Sequence, residues 1–253
     1  MDLHLADKVA VVTGGSRGLG RSVALALAAE GARVAFNYRQ ESAKAEAVVE
    51  EIRRASGSAA LAVRADLASE AEIVALFDRV EAALGPVGVL VNNAAYCPVS
   101  PVTEIAEKEW AYTFQVNVTG TFLASRELAR RLMASKRPGR IVNISSQAAF
   151  RGSESGKSAY DASKGAIVAL TVSMARELAA HGIAVNAVAP GLMHTEMLAP
   201  FIAADPEKFR RRIPLGRIGT TQEVANVVVF LASDRAGFMT GATVDVSGGM
   251  LMR

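Results

Sequence analysis

An α/β fold, a single doubly wound domain built on a seven-stranded parallel sheet, is what this sequence predicts, and three observations carry it. Short runs rich in Val, Ile and Ala alternate with longer Ala- and Leu-rich stretches of helical period along the whole chain. The short runs are nearly continuous in apolar residues, which marks strands covered on both faces. No Pro/Gly/Ser linker, internal repeat or low-complexity tract interrupts the alternation, so residues 1–253 read as one domain.

In chain order, the strand candidates are 8–12, 33–37, 60–65, 88–92, 140–145, 183–189 and 243–247. Helical period fills 19–30, 43–54, 70–84, 107–133, 159–180 and 223–231. Gly31, Gly57, Gly85 and Gly182 stand where helices stop. In such a sheet the ligand lies beyond the carboxyl ends of the strands.

Composition excludes several function classes. Lys and Arg total 28 against 25 for Asp and Glu, a net charge of +3, and the basic residues are dispersed, so no nucleic-acid partner is expected. The opening MDLHLADKVAVV lacks a basic leader, and no apolar run approaches the roughly 18 residues of a membrane span, which reads as a soluble, cytoplasmic protein with no membrane partner. Cys97 is the only cysteine, and His4, His181 and His194 are the only histidines, so neither an intrachain disulfide nor a metal site is expected.

The first strand runs directly into TGGSRGLG, residues 13–20, and then into a helical run. Gly14 suits the tight turn, Gly18 lets the backbone approach a phosphate, and Gly20 allows close helix packing, while the free N–H groups of the helix attract the anion. The spacing differs from the common G-x-G-x-x-G fingerprint, and a glycine turn of this kind also occurs as plain structure.

Near the middle, NISSQAAF at 143–150 ends the fifth strand and YDASK at 160–164 starts a long helix. Tyr160 and Lys164 are four apart and share a helix face. An adjacent ammonium and a helix N-terminus both stabilise a phenolate, so Tyr160 is expected to have a lowered pKa and to act as general acid in reduction and base in oxidation. Ser146 is placed to hold a carbonyl oxygen beside it, Lys164 to grip a nicotinamide ribose as well, and Asn117 in VNVTGTF to anchor a proton-relaying water. Singly, each of these residues is more often structural.

Together, TGGSRGLG, NNAA at 92–95, the Ser146, Tyr160 and Lys164 set, and APG at 189–191 resemble the single-domain form of the short-chain dehydrogenase/reductase family, whose fold is Rossmann-type. The resemblance covers essentially the whole chain. It implies hydride transfer between a nicotinamide cofactor and a carbonyl or secondary alcohol by the tetrad Asn117, Ser146, Tyr160 and Lys164. It also implies Gly14, Ser16, Arg17, Gly18 and Leu19 at the cofactor phosphates and ribose, and Asp66, Leu67, Asn93, Ala94 and Ala95 on the adenine side. Pro190, Gly191, Met193 and Thr195 would lie near the nicotinamide, with Tyr160 and Lys164. Two departures stand out: Ala95 replaces the usual Gly, and the stretch from Ser146 to Tyr160 is one residue longer than in many relatives.

After the second strand come Asn37, Tyr38 and Arg39, with no carboxylate until Glu41, where NAD-specific relatives carry an acid for the ribose 2′-hydroxyl. With Arg17 nearby, two guanidinium groups are expected to hold a 2′-phosphate, so NADPH is the expected cofactor. A substrate lid is expected at about 191–215, whose Met193, Met197, Leu198, Phe201 and Ile202 favour an acyl substrate or pack as ordinary core. The overall look is nearest to 3-oxoacyl-carrier-protein reductases, with glucose 1-dehydrogenase-like sugar dehydrogenases second and a non-catalytic nucleotide sensor third. An acyl carrier protein partner would dock on Arg137, with Arg130 and Arg131 nearby, although His181 occupies another usually basic site. The long helical segments and the apolar Met250, Leu251 and Met252 suggest homo-oligomerisation, and the resemblance a homotetramer.

Overall fold

The computed structural model describes residues 2–196 and 199–252, with backbone alone at 200–202, 206 and 208. Seven strands form one parallel sheet: β1 (Val9–Val12), β2 (Arg33–Tyr38), β3 (Ala60–Arg64), β4 (Val87–Asn92), β5 (Gly139–Ile144), β6 (Ile183–Pro190) and β7 (Thr243–Val246). Their order is β3-β2-β1-β4-β5-β6-β7, every pair parallel. The expected strands are all present, with ends displaced by a residue or so.

Helices cover both faces, as the continuous apolar strands require. On one face α1 (Gly18–Ala29), α2 (Ser42–Ser56) and α10 (Thr221–Ala232) bury Val23, Leu27, Ile52, Val228 and Leu231 against Val12, Phe36 and Val91. On the other, α3 (Glu70–Leu84), α5 (Gly120–Ala134) and α7 (Ser158–Leu178) bury Phe77, Leu128, Leu132 and Met174 against Val11, Leu90 and Ile141. Helix ends follow local chemistry: Ser69 caps α3, Thr220 and Glu223 form a reciprocal capping box on α10, and Gly57 closes α2 in the left-handed conformation.

The expected continuous helix at 107–133 is interrupted. α4 (Glu107–Phe114) passes into a π-helical turn, Gln115–Thr119, before α5 begins. Widening the helix by one residue per turn rotates Asn117 into the buried interior. The short α6 (Ala148–Arg151) follows β5, and α8 (Ala199–Ala204) and α9 (Pro206–Arg210) lie within the expected lid.

The segment expected as a lid leaves β6, and Met193 near its start bridges Gly219 beyond its end. It rests on a separate small cluster of Ile213, Ile218 and Met250 with Leu192 and Phe209 against it, outside the two main cores. Met197 and Leu198 lie outside the described residues, as do the side chains of Phe201 and Ile202.

Sheet order reverses direction between β1 and β4, so the loops following these two strands diverge and leave a crevice at their carboxyl ends. The glycine turn and the Asn93–Ala95 loop both open onto it.

Candidate active site

The glycine turn is shaped by contacts that leave no room for side chains. A Cβ on Gly20 would stand 2.2 Å from the Gly14 carbonyl oxygen, and one on Gly15 would stand 2.4 Å from Cβ of the buried Phe36. Gly18, at φ 55°, is different: a Cβ there would meet nothing within 4 Å, so its backbone faces open space. Arg17 precedes α1 without a side-chain cap, and the first turn holds no acidic residue. The leading N–H groups of a twelve-residue helix therefore point into that space uncapped, which suits a pyrophosphate. Arg17 is exposed and Gly14, Ser16 and Gly18 are half-buried, whereas the Leu19 side chain turns into the core.

Several residues expected to touch cofactor use their side chains on the protein itself. Asn37 accepts from the Gly14 N–H at 2.9 Å and donates to the Ala65 carbonyl at 2.8 Å. Asn93 donates to the carbonyls of Thr13 and Gly14 at 2.9 and 3.2 Å. Thr13, which no sequence motif singles out, accepts from the N–H groups of both Asn93 and Ala94. These amides and this hydroxyl staple the turn to its neighbours. Leu67 is core, and one Asp66 oxygen accepts from the Ala68 N–H. Ala95 has no positive φ, so an alanine fits where glycine was expected, and it is exposed on the crevice side of β4.

After β2, Arg39 is exposed and donates to the Tyr112 hydroxyl, while Arg17 lies 3.6 Å from Glu41. Tyr38 is half-buried against the core. Beyond β6, Gly191 is held tightly: a Cβ would come within 2.7 Å of Ser247 Cα. Pro190 ends β6, Met193 packs on the core from beside it, and the Thr195 carbonyl accepts from the Ala199 N–H at 2.9 Å.

The second constellation is built by α7. Asn92 donates to Ser125 and to Asn143 at 2.8 and 2.9 Å, and Asn143 donates to Thr171 at 2.9 Å, all buried. Ser145 donates to the Lys164 carbonyl at 2.9 Å. These bonds seat α7 on β5 and bring Tyr160 to the end of that strand, within reach of the Ser146 hydroxyl. Asn117 accepts from the Tyr96 N–H at 2.7 Å and donates to the Tyr96 carbonyl and to Ser163, both at 2.9 Å; Ser163 donates to the Tyr160 carbonyl at 2.6 Å. The amide of Asn117 thus braces the backbone beneath Tyr160 through Ser163, a residue whose role the sequence signalled only as a small hydroxyl between Tyr and Lys.

Electrostatics correct one expectation. Burial pushes the Tyr160 phenol well above the ordinary tyrosine value; nearby Cys97 adds to this and the Ser146 hydroxyl opposes it. The Lys164 ammonium donates to the Ile144 carbonyl at 2.6 Å and lies 5.5 Å from the Tyr160 ring centre, so that burial outweighs its pull on the phenol. Burial pushes Lys164 itself down to about 8, opposed by Cys97. Cys97, given no role by the sequence, therefore lies within electrostatic reach of both, and burial raises its thiol in turn. The longer stretch before Tyr160 folds onto the loop after β4, where Ser100 N–H donates to Gly156 at 2.8 Å.

The expected basic docking residues divide. Arg131 is committed to Asp78, Glu81 and Glu127 and lies over the Phe77 ring; Arg137 donates to Ser135 and to the carbonyls of Pro86 and Val87. Arg130 and His181 are exposed. Among the described residues no helix is long and apolar enough to cross a membrane.

A family model described as Enoyl-(Acyl carrier protein) reductase matches residues 14–251. The 3-oxoacyl-[acyl-carrier-protein] reductase FabG of Staphylococcus aureus (strain Mu50) is 43% identical over 245 residues, 97% of this chain and 98% of that protein. FabG of Aquifex aeolicus is 39% identical over 250 residues, covering 99% and 100%. Among solved structures, a dehydrogenase/reductase from Sinorhizobium meliloti superposes with a TM-score of 0.93 at 38% identity, covering 99% of this chain and 98% of the other. A Serratia marcescens short-chain dehydrogenase/reductase variant does so at 0.90 and 38%, covering 97% and 98%.

Proposed function

This chain belongs to the short-chain dehydrogenase/reductase family, and from that premise we propose that it reduces a 3-oxoacyl thioester with NADPH, as a cytoplasmic homotetramer. It is an NAD(P)-dependent oxidoreductase acting on CH–OH and carbonyl groups. The observation that carries the substrate reading is the placing of the Ser146 and Tyr160 hydroxyls within reach of each other at the carboxyl end of the sheet. Two hydroxyls converging there suit one carbonyl oxygen, with Ser146 orienting it and Tyr160 giving it a proton. A phenol raised by burial keeps that proton at neutral pH, which favours the reductive direction.

The bound nicotinamide would supply the hydride. Gly14, Ser16, Arg17 and Gly18 would hold the phosphates, and Arg17 with Arg39 the 2′-phosphate. As the proton leaves, charge develops on the phenol oxygen, and the Lys164 ammonium stabilises it from beneath. Asn117 and Ser163 keep the Tyr160 backbone from shifting during the transfer. The relatives' printed names support a thioester of acyl carrier protein as substrate, with exposed Arg130 the basic residue free to meet it.

The test is absorbance at the nicotinamide band with acetoacetyl thioesters of coenzyme A and of acyl carrier protein, simple ketones and aldoses, each with NADPH and NADH. Thioester turnover with NADPH at least about tenfold above NADH is expected from one charge-assisted contact. Faster turnover of aldoses would assign a sugar dehydrogenase, and none with any substrate a nucleotide sensor; either result overturns the proposal.

A further inference from the structure

Glu41 stands just before α2, where its carbonyl accepts from the Lys44 and Ala45 N–H groups at 3.1 and 3.3 Å. Its φ of 62° and ψ of 56° are left-handed, a region that residues other than glycine enter seldom and at some cost. Its side chain caps no N–H of α2. Instead the carboxylate spans two cations from different elements: Oε2 lies 3.6 Å from Arg17 Nη1 in the glycine turn, and Oε1 lies 3.2 Å from Lys44 Nζ on α2. Lys44 in turn reaches Glu196, at the start of the lid, at 3.5 Å.

We propose that Glu41 is an internal stand-in for the 2′-phosphate of the cofactor. It holds Arg17 and Lys44 at the spacing one phosphate would bridge, so Lys44 is a further 2′-phosphate ligand and Glu41 the residue that limits the preference for NADPH over NADH. This rests on the reading that Arg17 faces the adenosine ribose.

A phosphomonoester carries nearly two negative charges and three acceptor oxygens, where Glu41 offers one charge and two oxygens. The same cations therefore favour the phosphate. The pairs to be exchanged are weak, because Arg17, Glu41 and Lys44 all remain largely exposed to water. Glu41 nevertheless subtracts from phosphate affinity, by competing for both cations and by repelling the newcomer if it stays. A cofactor lacking the phosphate leaves both pairs intact and gains nothing from their loss. Through Lys44, occupancy of this corner also bears on the Glu196 contact that ties the lid to α2.

The experiment titrates wild type, Glu41→Gln and Lys44→Met with adenosine 2′,5′-bisphosphate and adenosine 5′-monophosphate by calorimetry at low salt. Glu41→Gln is expected to tighten the bisphosphate about fivefold, the scale of two exposed ion pairs, and to leave the monophosphate within about twofold. Lys44→Met is expected to weaken the bisphosphate about tenfold and again spare the monophosphate. A Glu41→Gln protein that binds the bisphosphate no better, or a Lys44→Met protein that loses nothing, overturns the proposal while leaving the cofactor reading intact. A wild type that does not distinguish the two nucleotides overturns both.

Discussion

Lys164 is almost wholly buried, with its ammonium on the Ile144 carbonyl, and burial brings it down to about 8. Charge on this group matters only while Tyr160 is giving up its proton, because the ammonium then faces a developing phenolate and a neutral amine would not. The phenol keeps its proton across this range, having been raised above the ordinary tyrosine value. Reductive kcat/KM for NADPH, which reports the free enzyme, is therefore expected to be level below about pH 8 and to fall above it as Lys164 deprotonates. A profile flat to pH 10 would contradict that role. At this scale the sequence placed Tyr160, Lys164 and Ser146 together correctly, because helical spacing and a strand end fix where they lie. It gave no sign that the Asn37 and Asn93 amides bond back to the glycine turn, since residue type does not tell which way an amide faces. Glu41 was noted only as the first acid after β2; its reach to Arg17 depends on a left-handed backbone that no pattern announces.

Strands were legible because burial on both faces leaves an unbroken apolar run, and the seven expected segments all appear. The helix read as continuous over 107–133 was not, since a π-helical turn at Gln115–Thr119 retains apolar spacing on either side while shifting one face against the other. That shift buries Asn117 and aims its amide at Tyr96 and Ser163. The neighbouring helices also bear on assembly. α5 and α7 lie side by side on one face of the sheet, and Phe122 and Met133 on α5, Val172 on α7 and Trp110 on α4 are exposed. Large apolar groups left in water on adjoining helices favour burial against a second copy. Light scattering at micromolar concentration is expected to give the mass of a tetramer; a monomer would contradict the proposed assembly.

Across the whole molecule, one topological fact joins the two constellations. The sheet reverses order between β1 and β4, which opens the crevice under the glycine turn, and β5 and α7 stand next to it with Ser146, Tyr160 and Lys164. Residues separated by about half the chain thus face one space, a consequence of crossover handedness that local patterns foreshadow only through the alternation of strand and helix. The lid was the least legible part, for its apolar residues carry no period and its packing rests on a small cluster of its own. On the proposed function, this space binds a dinucleotide and Tyr160 supplies the proton to the substrate oxygen. The direct measurement is Tyr160→Phe, assayed for turnover with acetoacetyl-coenzyme A and, separately, for NADPH affinity by fluorescence titration. Removing one hydroxyl while keeping the ring should lower kcat at least about a hundredfold with NADPH affinity nearly unchanged. Turnover within a fewfold of wild type would contradict the assignment.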